Sequence, residues 1–171
     1  MRRVLVLGQS ASGKSTVARA LAGHLGSPHI ELDALFHGPG WTVREAFVED
    51  VALLTAGPDW IVDGNYVAVR DLLWERADTI VWLDLPRTVT GRRAVVRTAH
   101  RLLSRVELWN GNRERVSNVW RGTHPIRWTW DTHAEHRAVY EQRLADPRWS
   151  ALQVIRLRTT GEVRQWLAGM A

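Results

Sequence analysis

Short apolar runs alternate with amphipathic stretches along the whole chain. The first run, residues 4–7 (VLVL), contains no polar position, which is typical of a strand buried on both faces of a parallel sheet. Behind it, Val17, Leu21 and Leu25 recur every four residues and predict one face of a helix, which the sequence GSP at 26–28 would end. Strand and helix signals then keep alternating to the end of the chain.

Five strands and six helices are predicted in this way. The strands lie at residues 4–7, 29–32, 60–62, 79–83 and 153–157, and the helices at 13–25, 44–54, 66–76, 88–109, 131–144 and 161–170. Because strands that alternate with helices form βαβ units, the pattern predicts an α/β fold with a mainly parallel sheet between two layers of helices. Ligands of such sheets bind beyond the carboxyl ends of the strands.

The composition is that of one soluble globular domain, which we expect to cover residues 1–171. Hydrophobic residues make up 45% and charged residues 24% of the chain, without repeats, linkers or low-complexity tracts. No apolar run approaches the roughly 18 residues that cross a bilayer. There is no cysteine for a disulfide or a thiolate zinc site. We therefore expect a cytoplasmic protein without a membrane segment.

Positive charge is concentrated in one part of the chain. The net charge is +5, yet residues 87–143 contain 12 arginines against 5 acidic residues. Anionic partners should therefore meet the protein there. Lys14 is the only lysine among 23 basic residues. It lies in a glycine-rich stretch, where a compact ammonium suits phosphate oxygens better than a planar guanidinium.

That glycine-rich stretch, residues 8–15 (GQSASGKS), lies between the first predicted strand and the first helix. Its spacing, G-x-x-x-x-G-K-S, is that of a Walker A loop (P-loop), whose backbone N–H groups and helix N-terminus hold phosphates. Lys14 would reach the outer phosphates of ATP, and the Ser15 hydroxyl would bind Mg²⁺. The predicted nucleotide-binding residues of the loop are Gly8, Ser10, Ala11, Ser12, Gly13, Lys14, Ser15 and Thr16.

Three aspartates follow predicted strands and should gather at one edge of the sheet. Asp63 and Asp84 are candidates to support Mg²⁺; we favour Asp63 because chain order places its strand beside the first, although Asp84 follows the longer apolar run. Asp33 could accept a proton from an acceptor hydroxyl, or it could cap a helix. Neither Asp63 nor Asp84 is followed by glutamate, which favours transfer to an organic acceptor over ATP hydrolysis.

An arginine stripe marks the predicted helix at 88–109. Arg93, Arg97, Arg101 and Arg105 recur every four residues and so share one helix face. This face could be a solvated basic surface, a clamp on a transferring phosphoryl group, or a footprint for nucleic acid. Tryptophans at positions 109, 120, 128 and 130 could stack on bases, although tryptophan in an amphipathic helix more often belongs to the core.

Two smaller signals leave their interpretation open. Residues 107–114 (ELWNGNRE) combine a turn signal with two amides and a guanidinium, so they either contact a substrate or form a plain corner between helices. His133 and His136 lie three residues apart on a predicted helix without a third metal ligand, and we expect both at the surface.

Taken together, these motifs resemble the P-loop kinase-like family and, within it, the adenylate-kinase-related group often labelled topology modulation proteins. The likeness covers about residues 1–105 and 153–168 and rests on GQSASGKST, HIELDALFHGPGW, WIVDGNY, TIVWLDLPR and VIRLRTTGEV; WNGNRE is shared with a subset only. It implies a P-loop NTPase fold of three α/β/α layers, with a five-stranded parallel sheet. It also implies a mobile, helical, arginine-rich lid, which we place within an insert at about 88–145.

The resemblance also implies roles for single residues. Asp33 would lie at the acceptor side, Arg93 and Arg97 would be lid arginines, and Thr160 would lie near the adenine. Adenylate kinases carry LDGFPR where this chain has VDGNYV. The arginine that holds the AMP phosphate is therefore missing there, although Arg70 lies downstream.

The favoured hypothesis is a kinase that transfers the γ-phosphoryl group of Mg-ATP to a small molecule, either a nucleoside monophosphate or a hydroxyl metabolite. ATP and Mg²⁺ would be its cofactors. An ATP-dependent nucleic-acid-binding regulator is the alternative, and nucleotide binding without turnover is a third hypothesis. The residues expected to act in catalysis are Lys14, Asp33, Arg93 and Arg97, and those expected to support the metal are Ser15 and Asp63.

Overall fold

The computed structural model describes residues 1–104, 106–113 and 130–170. A five-stranded sheet with strand order β2-β3-β1-β4-β5 forms its centre, and all neighbouring strands run parallel. The strands are β1 (Arg3–Gly8), β2 (His29–Glu31), β3 (Trp60–Asp63), β4 (Thr79–Leu83) and β5 (Gln153–Leu157).

Helices cover both faces of this sheet. They are α1 (Lys14–Leu25), α2 (Leu32–Phe36), α3 (Phe47–Leu54), α4 (Val67–Arg76), α5 (Arg87–Leu103), α6 (His133–Leu144) and α7 (Thr160–Ala168). Single 3₁₀ turns occur at Pro39–Trp41, Trp109–Gly111 and Pro147–Trp149. The α/β fold with a five-stranded parallel sheet is thus confirmed. None of the described helices is both long and apolar enough to span a membrane.

The bounds of some elements differ from the sequence prediction. The second strand ends at Glu31 rather than at Leu32, and the chain turns directly into α2, so Asp33 is the second residue of a short helix. The helix predicted at 44–54 begins only at Phe47. The long helix predicted at 88–109 ends at Leu103, because the chain then forms a tight turn that includes Trp109.

The central strands are apolar without alternation because both of their faces are buried. One face of β1 contributes Leu5 and Leu7 to a core that includes Trp60, Trp82 and Tyr140. The opposite face contributes Val4 and Val6 to a second core, which packs against Val17 and Leu21 of α1. β5 lies at the edge of the sheet and is more exposed.

Strand register determines where the polar ends of the strands meet. In β1, Val6 lies opposite Asp63 of β3 and Gly8 lies opposite Leu83 of β4. Gly8 has φ of 150°, and a Cβ atom there would lie 2.8 Å from the carbonyl oxygen of Leu83. Only glycine fits this position, so the chain can leave β1 close against β4.

Candidate active site

The loop after β1 wraps around its own lysine. Ala11 and Gly13 adopt left-handed conformations, with φ of 59° and 99°, and α1 starts directly after Gly13. The Lys14 ammonium donates a hydrogen bond of 3.1 Å to the carbonyl oxygen of Gln9. Burial lowers the pKa of Lys14, while the negative charges of Asp33 and Asp63 act in the opposite direction. The loop thus holds the Lys14 ammonium, and the two carboxylates favour its charged form.

A hydroxyl and a carboxylate meet beside the loop. The Ser15 hydroxyl donates to Oδ2 of Asp63 at 2.5 Å, and Nε2 of His29 lies 2.8 Å from Oδ1 of the same carboxylate. Asp63 is 3% exposed. Because β3 pairs with β1, its last residue lies next to the start of α1. Hydroxyl and carboxylate oxygens are ligands that suit Mg²⁺, so this pair fits the predicted metal position.

Asp84, the other candidate for supporting a metal, is engaged elsewhere. Its Oδ2 atom accepts hydrogen bonds of 2.9 and 2.7 Å from Arg156 on β5, and Arg137 of α6 lies 3.4 Å away. The Arg156 guanidinium also stacks 4.0 Å above the ring of Trp82. Asp84 therefore joins β4, β5 and α6.

On the other side of the loop, Asp33 belongs to a small polar cluster. The Tyr66 hydroxyl donates a hydrogen bond of 2.6 Å to Oδ1 of Asp33 and lies 3.5 Å from Nε2 of His37. Burial and the charge of Asp33 raise the pKa of Tyr66, so its phenol remains protonated and donates. Burial lowers the pKa of His37, against the pull of Asp33. Tyr66 thus engages only one of the two carboxylate oxygens of Asp33, namely Oδ1.

Sequence reasoning missed Tyr66, which bonds to Asp33, and His37, whose ring contacts the Tyr66 hydroxyl. Tyr66 directly follows the turn residues DGN at the end of β3, and His37 lies four residues after Asp33 in the motif LDALFH. Residues four apart lie on the same side of a helix, which is a signal that could have placed His37 next to Asp33.

Two of the predicted arginines extend from α5 to the glycine-rich loop of residues 8–15, called the phosphate loop below. Arg93 donates to the Ser12 carbonyl at 2.9 Å and to the Thr160 hydroxyl at 3.2 Å. Arg97 donates to the Ser10 hydroxyl at 3.0 Å. Residues four apart on a helix point in the same direction, so both guanidinium groups lie against the loop. The structure thus brings Arg93, Arg97 and Thr160 close to the loop that carries Lys14.

The rest of the arginine stripe has other surroundings. The Arg101 guanidinium lies 5.8 Å from the ring of Trp109, and Arg105 is outside the described residues. Trp130 packs under Arg87, whose guanidinium is 4.0 Å from its ring. The tryptophans at 120 and 128 also fall outside the described residues.

Two tight turns of similar shape lie beside the Asp33 cluster. The first turn (residues 37–43) is closed by an antiparallel bridge between its end residues, and so is the second turn (residues 107–113). Each contains two successive left-handed residues, Gly40 and Trp41 in the first and Asn110 and Gly111 in the second. Asparagine and glycine adopt this conformation at least cost.

The second turn is docked onto the first through its two asparagines. The Asn112 amide donates to the Gly38 carbonyl at 2.8 Å and accepts from the Trp41 amide at 2.9 Å. The Asn110 amide donates to the carbonyl of His37 at 2.5 Å. The ring of Trp109 stacks on His37 with centroids 5.8 Å apart. Within ELWNGNRE, residues 107–113 form a turn whose two asparagine amides bind backbone carbonyls, and Glu114 lies outside the described residues.

Helix α6 also contacts the phosphate loop. The Gln9 side chain donates to the Thr132 hydroxyl at 2.8 Å, and its oxygen lies 2.8 Å from Nδ1 of His136. Nε2 of His133 lies 2.9 Å from the carbonyl oxygen of Leu85. Both histidines are half-buried, so the expectation that they lie at the surface is wrong. They help to fix α6 against the carboxyl end of the sheet.

The sheet order, the loop after β1 and the helix that carries its lysine define a P-loop kinase fold. No model of a known protein family matches the chain, and neither does any curated protein sequence. Among solved structures, the chain is similar to a gluconokinase from Sinorhizobium meliloti 1021, with 23% identity, a TM-score of 0.54, and coverage of 99% of this chain and 91% of that one.

It is also similar to a shikimate kinase from Acinetobacter baumannii in complex with shikimate. The identity is 16% and the TM-score 0.60, and the match covers 99% of this chain and 90% of that one. These likenesses establish the P-loop kinase fold. They do not confirm the finer resemblance to topology modulation proteins.

Proposed function

We propose that this protein is an ATP-dependent phosphotransferase that acts on a small hydroxyl-bearing acceptor. The observation that carries the proposal is the position of Lys14 near two carboxylates. Asp63 is hydrogen-bonded to Ser15 and Asp33 to Tyr66, and the negative charges of both act on the Lys14 ammonium. A donor phosphate in the loop and an acceptor hydroxyl at Asp33 would therefore be neighbours.

The donor side would hold the triphosphate. Backbone N–H groups of residues 8–16 and the N-terminus of α1 would bind phosphate oxygens, and Lys14 would neutralise the outer phosphates. Mg²⁺, when bound, would offset the charge of the triphosphate. Ser15 and Asp63 would hold it, since they offer a hydroxyl and a carboxylate in contact. Thr160 would lie near the adenine, next to Arg93.

On the acceptor side, Asp33 would orient the acceptor hydroxyl and take its proton. Tyr66 occupies one carboxylate oxygen and leaves the other for the acceptor. Arg93 and Arg97 already touch the loop at Ser12 and Ser10, and would stabilise the charge that spreads over the moving phosphoryl group. They would also exclude water from the cleft if α5 serves as part of the lid.

The nucleic-acid alternative has less support from the arginines. Arg93 and Arg97 are hydrogen-bonded to the phosphate loop, and the Arg101 guanidinium lies near the ring of Trp109. Three of the four arginines of the stripe therefore contact other parts of the protein. The finer resemblance to topology modulation proteins implies a regulatory role but no site other than this one. The proposed kinase chemistry accounts for the same residues.

The test is ADP release from Mg-ATP in the presence of pooled nucleoside monophosphates or pooled hydroxyl metabolites. We expect one pool to raise ADP release well above the rate with water alone. Lys14→Ala is the blank, expected to lower the stimulated rate about 10²–10³-fold because it removes a charge that faces the transferring phosphate. If DNA or RNA stimulates release while no small-molecule pool does, the regulator hypothesis replaces this proposal.

A further inference from the structure

Arg70, the fourth residue of α4, is a half-buried arginine that has no partner among the described residues. Its guanidinium forms no hydrogen bond and no ion pair with any of the described residues, and its Nε atom is buried. Other half-buried arginines are engaged: Arg76 bonds to Thr55, Arg143 to Asp71 and Arg156 to Asp84. A guanidinium that is partly removed from water without a partner favours the arrival of an anion.

Arg70 lies within electrostatic range of two side chains of α6. Its positive charge lowers the pKa of His136, on which the charge of Lys14 also acts, although burial is the largest cause. It lowers the pKa of Tyr140 too, against the larger rise that burial causes. His136 contacts the phosphate loop through Gln9. Arg70 therefore lies near α6, which packs against the loop that carries Lys14.

Two further polar groups in this region are buried without a hydrogen bond of normal geometry, although they lie close enough together for Asn65 to lower the pKa of Tyr140 against the rise that burial causes. One is the Tyr140 hydroxyl of α6, and the other is the Asn65 side-chain oxygen in the turn between β3 and α4. Asn65 lies two residues after Asp63 and next to Tyr66, which holds Asp33. Polar atoms from α4, α6 and this turn thus converge on one side of the acceptor region.

We propose that Arg70 binds an anionic group of the acceptor, a carboxylate or a phosphate monoester, while Asp33 takes its hydroxyl. This inference rests on the proposed kinase function and narrows its substrate to hydroxyl compounds that carry an acid. A planar guanidinium matches both kinds of anion in a bidentate geometry. Asn65 and Tyr140 would bond the same group or its neighbouring hydroxyls.

Matched acceptor pairs test the assignment. Glycerate and glycerol 3-phosphate are compared with glycerol, and gluconate with glucitol, by ADP release at a fixed concentration of Mg-ATP. We expect the wild-type protein to prefer the charged members. Arg70→Gln should raise KM for the charged acceptor about ten- to hundredfold, the value of one charge-assisted hydrogen bond, and leave kcat within a few-fold. Arg70→Lys should retain part of the preference.

Control variants separate this effect from a folding defect. Arg19 is exposed on α1, and Arg19→Gln should leave the preference for charged acceptors unchanged. The thermal unfolding midpoint and the Kd for Mg-ADP should be the same in Arg70→Gln and wild type. Which charged member responds to Arg70 distinguishes a carboxylate from a phosphate as the recognised group.

Two results would overturn the assignment. If charged and neutral acceptors have equal kcat/KM, or if Arg70→Gln keeps the preference, Arg70 does not bind the acceptor, although the kinase function stands. If no compound raises ADP release above the Lys14→Ala blank, the kinase proposal fails. Calorimetric titration of the Mg-ADP-saturated protein with glycerate and glycerol 3-phosphate then decides about Arg70: binding that Arg70→Gln abolishes supports the anion site, and absent binding removes it.

Discussion

The loop that would bind the donor phosphates and the proposed acceptor side differ in how far apart along the chain the contacts that shape them lie. Within the loop, Lys14 bonds to Gln9, five residues away. On the proposed acceptor side, Asn112 bonds to Gly38 across 74 residues of sequence, and Tyr66 bonds to Asp33 across 33. Local backbone geometry shapes the loop, although Asp63 and two arginines of α5 reach it from distant segments. The acceptor side, in contrast, is built by contacts between distant segments.

This difference decides what a substitution can do. On the proposed donor side, backbone N–H groups would bind much of the phosphate, and the side chains that matter would be Lys14, Ser15, Asp63, Arg93 and Arg97. On the acceptor side the function would depend on side chains that are positioned by other side chains. Effects on nucleotide binding and effects on acceptor use should therefore separate, which the following variants test.

The largest effect is expected from Asp33→Asn. Acceptor-stimulated ADP release should fall about 10²–10⁴-fold, because the amide cannot take the proton of the acceptor hydroxyl. The Kd for Mg-ATP, measured by calorimetry, should change little, since Asp33 makes no hydrogen bond to the loop. Lys14→Ala should instead weaken both. Equal losses of nucleotide affinity in the two variants would mean that the two sides are not separate.

A second outcome of the same experiment bears on the function itself. If Asp33→Asn leaves ADP release unchanged with every acceptor pool, the carboxylate has no part in transfer. Nucleotide binding without turnover would then be the better description of this protein.

An intermediate effect is expected from Asn112→Ala. The substitution leaves the Gly38 carbonyl and the Trp41 amide without their partner, and Asn112 is only 4% exposed. We expect the free energy of unfolding to fall by about 1–3 kcal/mol, measured by urea denaturation. The acceptor KM should rise while the Kd for Mg-ATP stays constant, because the docked turns lie on the acceptor side.

The control for this variant is Gln142→Ala, which removes an exposed amide from α6. It should change the free energy of unfolding by no more than about 0.5 kcal/mol. A loss of Mg-ATP affinity in Asn112→Ala as large as the rise in acceptor KM would show that the second turn supports both sides.

The smallest effect concerns His136 and pH. Burial holds its pKa in the folded protein below the ordinary value of 6.5. The unfolded chain therefore binds the proton more readily, so the contribution of His136 to stability is present above the ordinary pKa and is lost as the pH falls through it. Urea midpoints of wild type should fall more steeply on acidification than those of His136→Gln. His24→Gln, at an exposed site, should behave as wild type does.

Much of the fold and of the donor side could be predicted from the sequence, because their signals are local. The apolar run at 79–83 is enough to predict β4, and the glycine spacing of residues 8–15 is enough to predict the loop. Asp63 could be favoured from chain order, since β3 pairs with β1. Arg93 and Arg97 could be placed near the phosphates from helical periodicity and the family resemblance.

The acceptor side could be predicted only in part. The sequence predicts a strand at 29–32 with Asp33 after it, whereas α2 begins at Leu32, whose side chain is fully buried against the turn at Gly64. The docking of residues 107–113 onto residues 37–43 depends on contacts between distant segments, which no local pattern contains. The unpaired state of Arg70 is likewise a property of its neighbours in space.

The paired turns also have a consequence for how such proteins diverge. Asn112 bonds to a carbonyl and an amide of the first turn, so its value depends on the backbone shape that Gly40 and Trp41 give to that turn. A change in the backbone shape of the first turn would remove the hydrogen-bond partners of Asn112 in the second turn. The two segments should therefore be inherited as a pair, and a chimera that exchanges only one of them should fold less stably than one that exchanges both.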